Sequence, residues 1–234
     1  MDCQEEMAQR CFGYGRWDAP YWFIGPEQGM SKDSRELTFR CHAWSERDRP
    51  ELDDCMAYHD LLNTLRSPRL SKWGKRDDDW HGEKPNTQRT WARLIQFLIG
   101  FGVVTDHLTY QIKEWGSATG DTCVIELSGL SAHNSREKRE RGKYLEQRIA
   151  RMSQELNGSQ EFVLLYGRTP ECDTAWETLS LGAQQVGSGP RGETISRRGK
   201  TLYLRANFHP TGNGQPYEKW KEFGQEVKRL QAVV

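Results

Sequence analysis

Short apolar runs alternate along this chain with longer stretches in which apolar residues recur every three or four positions. That is the pattern of strands alternating with helices. Tyr21-Trp22-Phe23-Ile24 is an apolar run stopped by Gly25-Pro26, which predicts a buried strand ending in a tight loop. Thr122–Leu127, Phe162–Tyr166 before Gly167, and Thr201–Leu204 predict three further strands, the last running into Asn207-Phe208-His209-Pro210. Residues 3–12 predict a short helix ended by Gly13 and Gly15, and a helical stretch lies near Cys55–Leu65. Thr87-Gln88-Arg89-Thr90 opens a helix with apolar Trp91, Leu94, Ile95, Leu98 and Ile99, closed by Gly100. Ser135 is expected to cap a long charged helix to about Leu156, ended by Asn157-Gly158. Helices follow from about Glu171 and over Tyr217–Leu230, while the polar stretch 31–86 contains a surface loop around Lys72–Pro85.

Apolar strands separated by helices imply a sheet buried on both faces. The expectation is a single-domain α/β/α sandwich over 1–234 with a short, mainly parallel central sheet and a polar insertion or surface loop at about 66–86. No repeat, heptad or low-complexity tract competes with it. Ligands gather at the carboxyl ends of such strands, so the loops leaving the strands are the first place to look for chemistry.

Composition changes this picture in a few respects. Hydrophobic residues make up 35% of the 234, yet aromatics reach 11% with nine Trp, which fits a folded, aromatic-rich core and not a disordered chain. No apolar run approaches the roughly 18 residues of a spanning helix, and MDCQEEMAQR lacks the features of a signal peptide, so a cytoplasmic setting is expected. Lys plus Arg (33) balance Asp plus Glu (33), so any nucleic-acid role rests on local patches. Cys3, Cys11, Cys41, Cys55, Cys123 and Cys172 contain no CxxC pair, which argues against a zinc ribbon or an iron–sulfur cluster and for dispersed free thiols.

Two strand-end loops carry candidate chemistry. In Gly25-Pro26-Glu27-Gln28-Gly29 the glycines allow backbone to approach a ligand and Glu27 offers a carboxylate, although an ordinary turn uses the same residues. In His209-Pro210-Thr211-Gly212-Asn213-Gly214 a proline stiffens the loop behind a histidine suited to stabilise a developing anion, although a lone loop histidine is often plain surface.

Taken together, the two loops resemble those of the uracil-DNA glycosylase superfamily, which pairs a Gly-x-(acidic or Asn)-Pro-(Tyr or Gly) loop with a His-Pro-Ser-type loop. Val124-Ile125-Glu126-Leu127-Ser128 resembles the strand ending in that family's base-reading Asn, and Phe162–Gly167 resembles its third strand. Phe39 lies at about the spacing of its base-stacking Phe. The chain departs from the pattern with Pro26 in second place and Gln28 in fourth, Ser128 for Asn, and Thr211-Gly212 for Ser-Pro. The resemblance implies a monofunctional, monomeric DNA glycosylase without metal or organic cofactor. Glu27 would direct the attacking water, and His209 would bond the leaving pyrimidine. Gly25, Gly29, Phe39 and Ser128 would hold the base.

Gly29 stands where the uracil-specific branch has a Tyr against the pyrimidine C5 edge. The favoured substrate is therefore a C5-enlarged base, hydroxymethyl- or glucosyl-hydroxymethylcytosine of phage DNA, as for antiphage glycosylases, and otherwise uracil. A non-catalytic binder of modified or single-stranded DNA is the alternative. An unrelated α/β hydrolase is disfavoured by the lack of a Gly-x-Ser-x-Gly elbow.

Basic residues cluster at Arg136, Lys138, Arg139, Arg141 and Lys143, and again at Arg191, Arg197, Arg198 and Lys200. A solvated surface explains either cluster, but both are expected to flank the cleft. Arg136, Arg139, Arg197, Arg198 and Asn213 are the candidate DNA contacts. Trp22 and Trp91 read as core, whereas Trp44, Trp73 and Trp80 are the candidates for stacking on bases.

Overall fold

The apolar strand runs pair side by side into one sheet, and the helices between them cover both of its faces. The computed structural model describes residues 2–29, 35–66, 81, 87–132, 142–212 and 216–232. Along the chain these form α1 (Cys3–Arg10), β1 (Gly13–Tyr14), β2 (Tyr21–Gly29), α2 (Glu36–Glu46), β3 (Leu52–Asp53), α3 (Cys55–Arg66), α4 (Arg89–Phe101) and α5 (His107–Lys113). There follow β4 (Thr122–Ala132), α6 (Leu145–Glu155), β5 (Phe162–Tyr166), α7 (Pro170–Leu179), β6 (Gln184–Ser188), β7 (Thr194–Arg198), β8 (Thr201–Ala206) and α8 (Tyr217–Gln231).

The sheet has eight strands in the order β3-β1-β4-β2-β5-β8-β7-β6. The four central strands, β4-β2-β5-β8, are parallel to one another. Around them the β1–β4, β7–β8 and β6–β7 pairs are antiparallel. The sheet is thus mixed and wide, which corrects the expectation of a short, mainly parallel one. The physical reason lies in the flanking strands. β1 and β3 hold two residues each, and β6 is exposed along Gln-Gln-Val-Gly-Ser, so none presents an apolar run.

Alternation along the central strands divides the core. Phe23, Val124, Phe162, Leu164 and Leu204 face a layer that includes Leu94, Phe97 and Phe101 of α4 and Trp220 and Phe223 of α8. Trp22, Ile24, Ile125, Val163 and Leu165 face Ile149 and Met152 of α6 and Cys172 and Ala175 of α7. α4 passes through Gly100, where closure was expected, and ends at Gly102, whose φ of 88° suits a left-handed cap. Within the helix position 100 must be glycine, because any Cβ there would overlap the backbone of Lys221, and Gly224 meets α4 in the same way.

Other expectations are corrected here. Gly25-Pro26 does not stop β2, which keeps pairing with β4 through Glu27 to Gly29 while its pairing with β5 ends at Ile24. Pro26 has no amide hydrogen to donate, so it fits where only one neighbouring ladder continues. α6 begins at Leu145 after a turn over 142–144, not at Ser135, which lies outside the described residues together with most of the 66–86 segment. Trp44 is fully buried in the core and takes no part in base stacking; its indole donates to the Pro50 carbonyl at 2.8 Å. Cys3 and Cys41 are joined as a disulfide between α1 and α2, whereas Cys11, Cys55, Cys123 and Cys172 are free thiols. Among the described residues no helix is long and apolar enough to cross a membrane.

Candidate functional site

In chain order the central strands run second, first, third, fourth across the sheet, so the direction of travel reverses between β2 and β5. Open α/β sheets form their crevice outside the carboxyl ends of the strands at such a reversal. Gly25 and Pro26 of β2, Tyr166 and Gly167 at the end of β5, and Phe208 and His209 after β8 meet there.

Tyr166 lies across β2 at Gly25. A Cβ at Gly25 would stand 2.6 Å from Tyr166 Cζ and overlap its hydroxyl, so this strand position requires glycine for the ring to lie where it does. Gly167 turns the chain with φ 113°, and Pro26 packs 3.2 Å from the place its Cβ would occupy. The Gly167 amide donates to the carbonyls of Ala206 and Phe208, both at 3.1 Å, tying the end of β5 to the end of β8. Arg205 is buried and reinforces the junction, donating to the Gly167 carbonyl and to Asp173, each at 2.8 Å.

His209 stands at the mouth of this junction, its ring centroid 5.9 Å from that of Tyr166 and nearly perpendicular to it at 73°. The Thr211 amide donates to His209 Nδ1 at 3.3 Å, and Thr211 Oγ1 lies 2.9 Å from the same nitrogen. An Nδ1 that accepts from a backbone N–H carries the lone pair, so the neutral ring bears its proton on Nε2. The residue reaches solvent, but its ring backs onto Tyr166. Partial desolvation, together with the nearby Arg93 charge, holds its pKa below the ordinary histidine value. Arg93 itself lies 4.6 Å over the Tyr217 ring. Arg191 stacks 4.2 Å over Phe208 and is held by buried Glu193 at 2.7 Å.

The other sequence-predicted residues divide into four groups. Ser128 is buried on β4, directly opposite Glu27 in the β2–β4 register, and Gly29 pairs with Ala132. This brings Glu27 and Ser128 to the end of the sheet that holds Gly25. Phe39, on α2, packs half-buried against the apolar core, and the ring in contact with His209 is Tyr166. Arg136, Arg139 and Asn213, like Trp73 and Trp80, lie outside the described residues.

Arg197 and Arg198 do not flank the cleft. Arg198 pairs with Thr201 at the amino end of β8, about 17 Å of strand away from the carboxyl end. Their guanidinium groups are engaged there, Arg197 on the Leu230 carbonyl and Arg198 on the Leu181 carbonyl and the Tyr203 hydroxyl. Proximity in sequence to the last strand misled because a hairpin partner of β8 meets its beginning, not its end.

Sequence reasoning missed Tyr166 and Arg93, which reach His209 only through the packing of β5 and α4. It also missed a gathering of Cys55, His59 and His81 beside α3, for which Cys-x-x-x-His on one helix face is the available signal. This chain matches no family model, no curated protein and no solved structure.

Proposed function

We propose that this protein is a monofunctional DNA glycosylase acting on a pyrimidine extruded into the crevice at the ends of β2, β5 and β8. The observation that carries the reading is His209. Its Nδ1 is occupied by Thr211, so a neutral Nε2–H donor is preset beside Tyr166 at the mouth of the crevice.

An enzyme that acts on a base must take it out of the stack, and an aromatic ring gives the flipped base a surface to lie on. In hydrolysis the C1′–N bond breaks with its electron pair passing to the base, leaving a cation-like sugar and an anionic pyrimidine. His209 Nε2–H bonds the pyrimidine oxygen on which that charge develops. A water oxygen adds to C1′, its proton passing by way of the Glu27 carboxylate, which also opposes the sugar's positive charge. Gly29 leaves room at the pyrimidine C5 edge, and the Ser128 hydroxyl, which both donates and accepts, can face a cytosine or a uracil edge, so an enlarged base is favoured over plain uracil.

The test is release of the base. DNA containing uracil, hydroxymethylcytosine or glucosyl-hydroxymethylcytosine is incubated with the protein and treated with alkali. Strand scission at the modified site is expected, strongest for a C5-enlarged base, with Gly29→Tyr suppressing scission at that base more than at uracil. Retention of modified DNA without scission at any of the three bases replaces the enzyme with a binder using the same crevice. Failure of all three to be bound or cut rejects the DNA reading.

A further inference from the structure

Away from the crevice, α3 carries Cys55 and His59 one turn apart on the same face, and residue 81 returns a second imidazole to them. One ligating atom from each of Cys55, His59 and His81 lies within 4.8 Å of one from each of the others. Cys55 Sγ is 3.9 Å from His81 Nε2 and 3.5 Å from His59 Nδ1. Tetrahedral zinc with one thiolate and imidazole nitrogens spaces an S···N pair by about 3.6 Å, which the Cys55 Sγ–His81 Nε2 pair nearly meets; His59, whose Nδ1 is held by the Cys55 carbonyl, would join through Nε2.

The partners of the two rings point the same way. His81 Nδ1 donates to the Ile112 carbonyl at 3.2 Å, near the end of α5, and His59 Nδ1 donates to the Cys55 carbonyl at 2.7 Å. A carbonyl can only accept, so each neutral ring carries its lone pair on Nε2. A metal-ligating histidine has this arrangement, its other ring N–H fixed by a backbone carbonyl. The surroundings are aromatic: Trp91 lies 5.6 Å from His59 and 6.1 Å from His81, and Tyr14 lies 5.3 Å from His59. Cys55 and His59 are buried and His81 is half-buried, so water is largely kept from the sulfur.

From this convergence we infer that Cys55, His59 and His81 form a zinc site, with the fourth position taken by water. Binding replaces the Cys55 S–H by a zinc–thiolate bond and releases one proton. The cation joins α3 to residue 81, across the segment before α4, and through the Ile112 carbonyl to α5. The site is independent of the glycosylase reading and stands whether or not the protein cuts DNA.

The test uses the full-length chain stripped with a chelator and then given Zn²⁺ or Co²⁺ alone. One equivalent of zinc by elemental analysis is expected, with a thiolate-to-cobalt charge-transfer band and tetrahedral d–d bands from the cobalt form. Cys55→Ser removes the charge-transfer band. His81→Gln, at the half-buried position, weakens zinc at least tenfold in competition with a chelating dye while circular dichroism stays unchanged. Zinc is expected to raise Tm in the wild type and not in His81→Gln. Failure of the wild type to bind, or equal affinity in wild type and His81→Gln, overturns the assignment. Uptake of copper(II) without zinc overturns the choice of metal.

Discussion

His209 and His81 present Nδ1 to opposite backbone groups, and the backbone sets the two rings to opposite tasks. At the crevice an N–H from Thr211 meets Nδ1 of His209, which leaves a hydrogen on Nε2 and makes the ring a donor. Beside α3 a carbonyl from Ile112 meets Nδ1 of His81, which leaves a lone pair on Nε2 and makes the ring a ligand. The side chain is the same in both places, and one backbone atom decides between them. The crevice is furnished by chain ends leaving parallel strands, with amides available. The α3 cluster sits where α3 and α5 offer the Cys55 and Ile112 carbonyls to the rings.

The contrast is broken most sharply at His209. His209→Ala is expected to lower base release by about 10²–10³-fold, the usual cost of deleting a preorganised donor to a developing anion. Zinc content should be unaffected. Glu27→Gln should be impaired to a similar extent, again with unchanged circular dichroism. Full activity in either variant removes that residue from the mechanism.

The next largest effect concerns how Tyr166 is seated. Gly25→Ala drives a methyl into the ring, and overpacking of this kind costs about 1–3 kcal/mol, read as a lower Tm. In a Tyr166→Leu background the same change should cost much less, giving a clear coupling in the double-mutant cycle. Equal costs in both backgrounds would mean that the ring yields freely and does not shape the crevice.

A smaller, more diagnostic effect is pH dependence. Burial against Tyr166 and the Arg93 charge lower the folded pKa of His209, so the neutral donor persists to lower pH than for an ordinary histidine. Protonation of Nδ1 breaks the contact with the Thr211 amide that orients the ring, so base release should be flat above neutrality and fall as pH drops through an inflection below about 6.5. Arg93→Gln removes a like charge and should move the inflection upward. An inflection that does not move in that variant breaks the link between Arg93 and His209.

The smallest expected effect is at Arg197 and Arg198. Their guanidinium groups are held by carbonyls and a hydroxyl at the far end of β8, so charge reversal at both should leave the salt dependence of DNA binding nearly unchanged. A markedly flatter slope of log affinity against log salt would show that DNA reaches the far end of the sheet.

Much of the central architecture is legible without coordinates. The runs at Tyr21–Ile24, Thr122–Leu127, Phe162–Tyr166 and Thr201–Leu204 all lie in the parallel strands, because a strand buried on both faces must be continuously apolar. The placement of Gly25 and His209 at one end of the sheet follows from those strands being parallel. The edge strands were not legible: Gln184–Ser188 is polar and exposed, and its place is set by pairing with β7. Trp44 was misread because its polar neighbours face outward on α2 while its own ring turns into the core.

By itself, then, the sequence determined the alternating strands and helices, the two glycine- and proline-bearing loops, and the side chains available in them. Those depend on local composition and periodicity, which each segment carries within itself. Tertiary structure alone decided that Tyr166 covers Gly25, that Arg93 bears on His209, that Arg197 and Arg198 stand at the wrong end for the crevice, and that residue 81 meets α3. Each of these is a contact between segments distant in the chain. Strand order, hairpin direction and the choice of N–H or C=O at each Nδ1 arise only when backbone atoms from separate elements are brought within hydrogen-bonding distance.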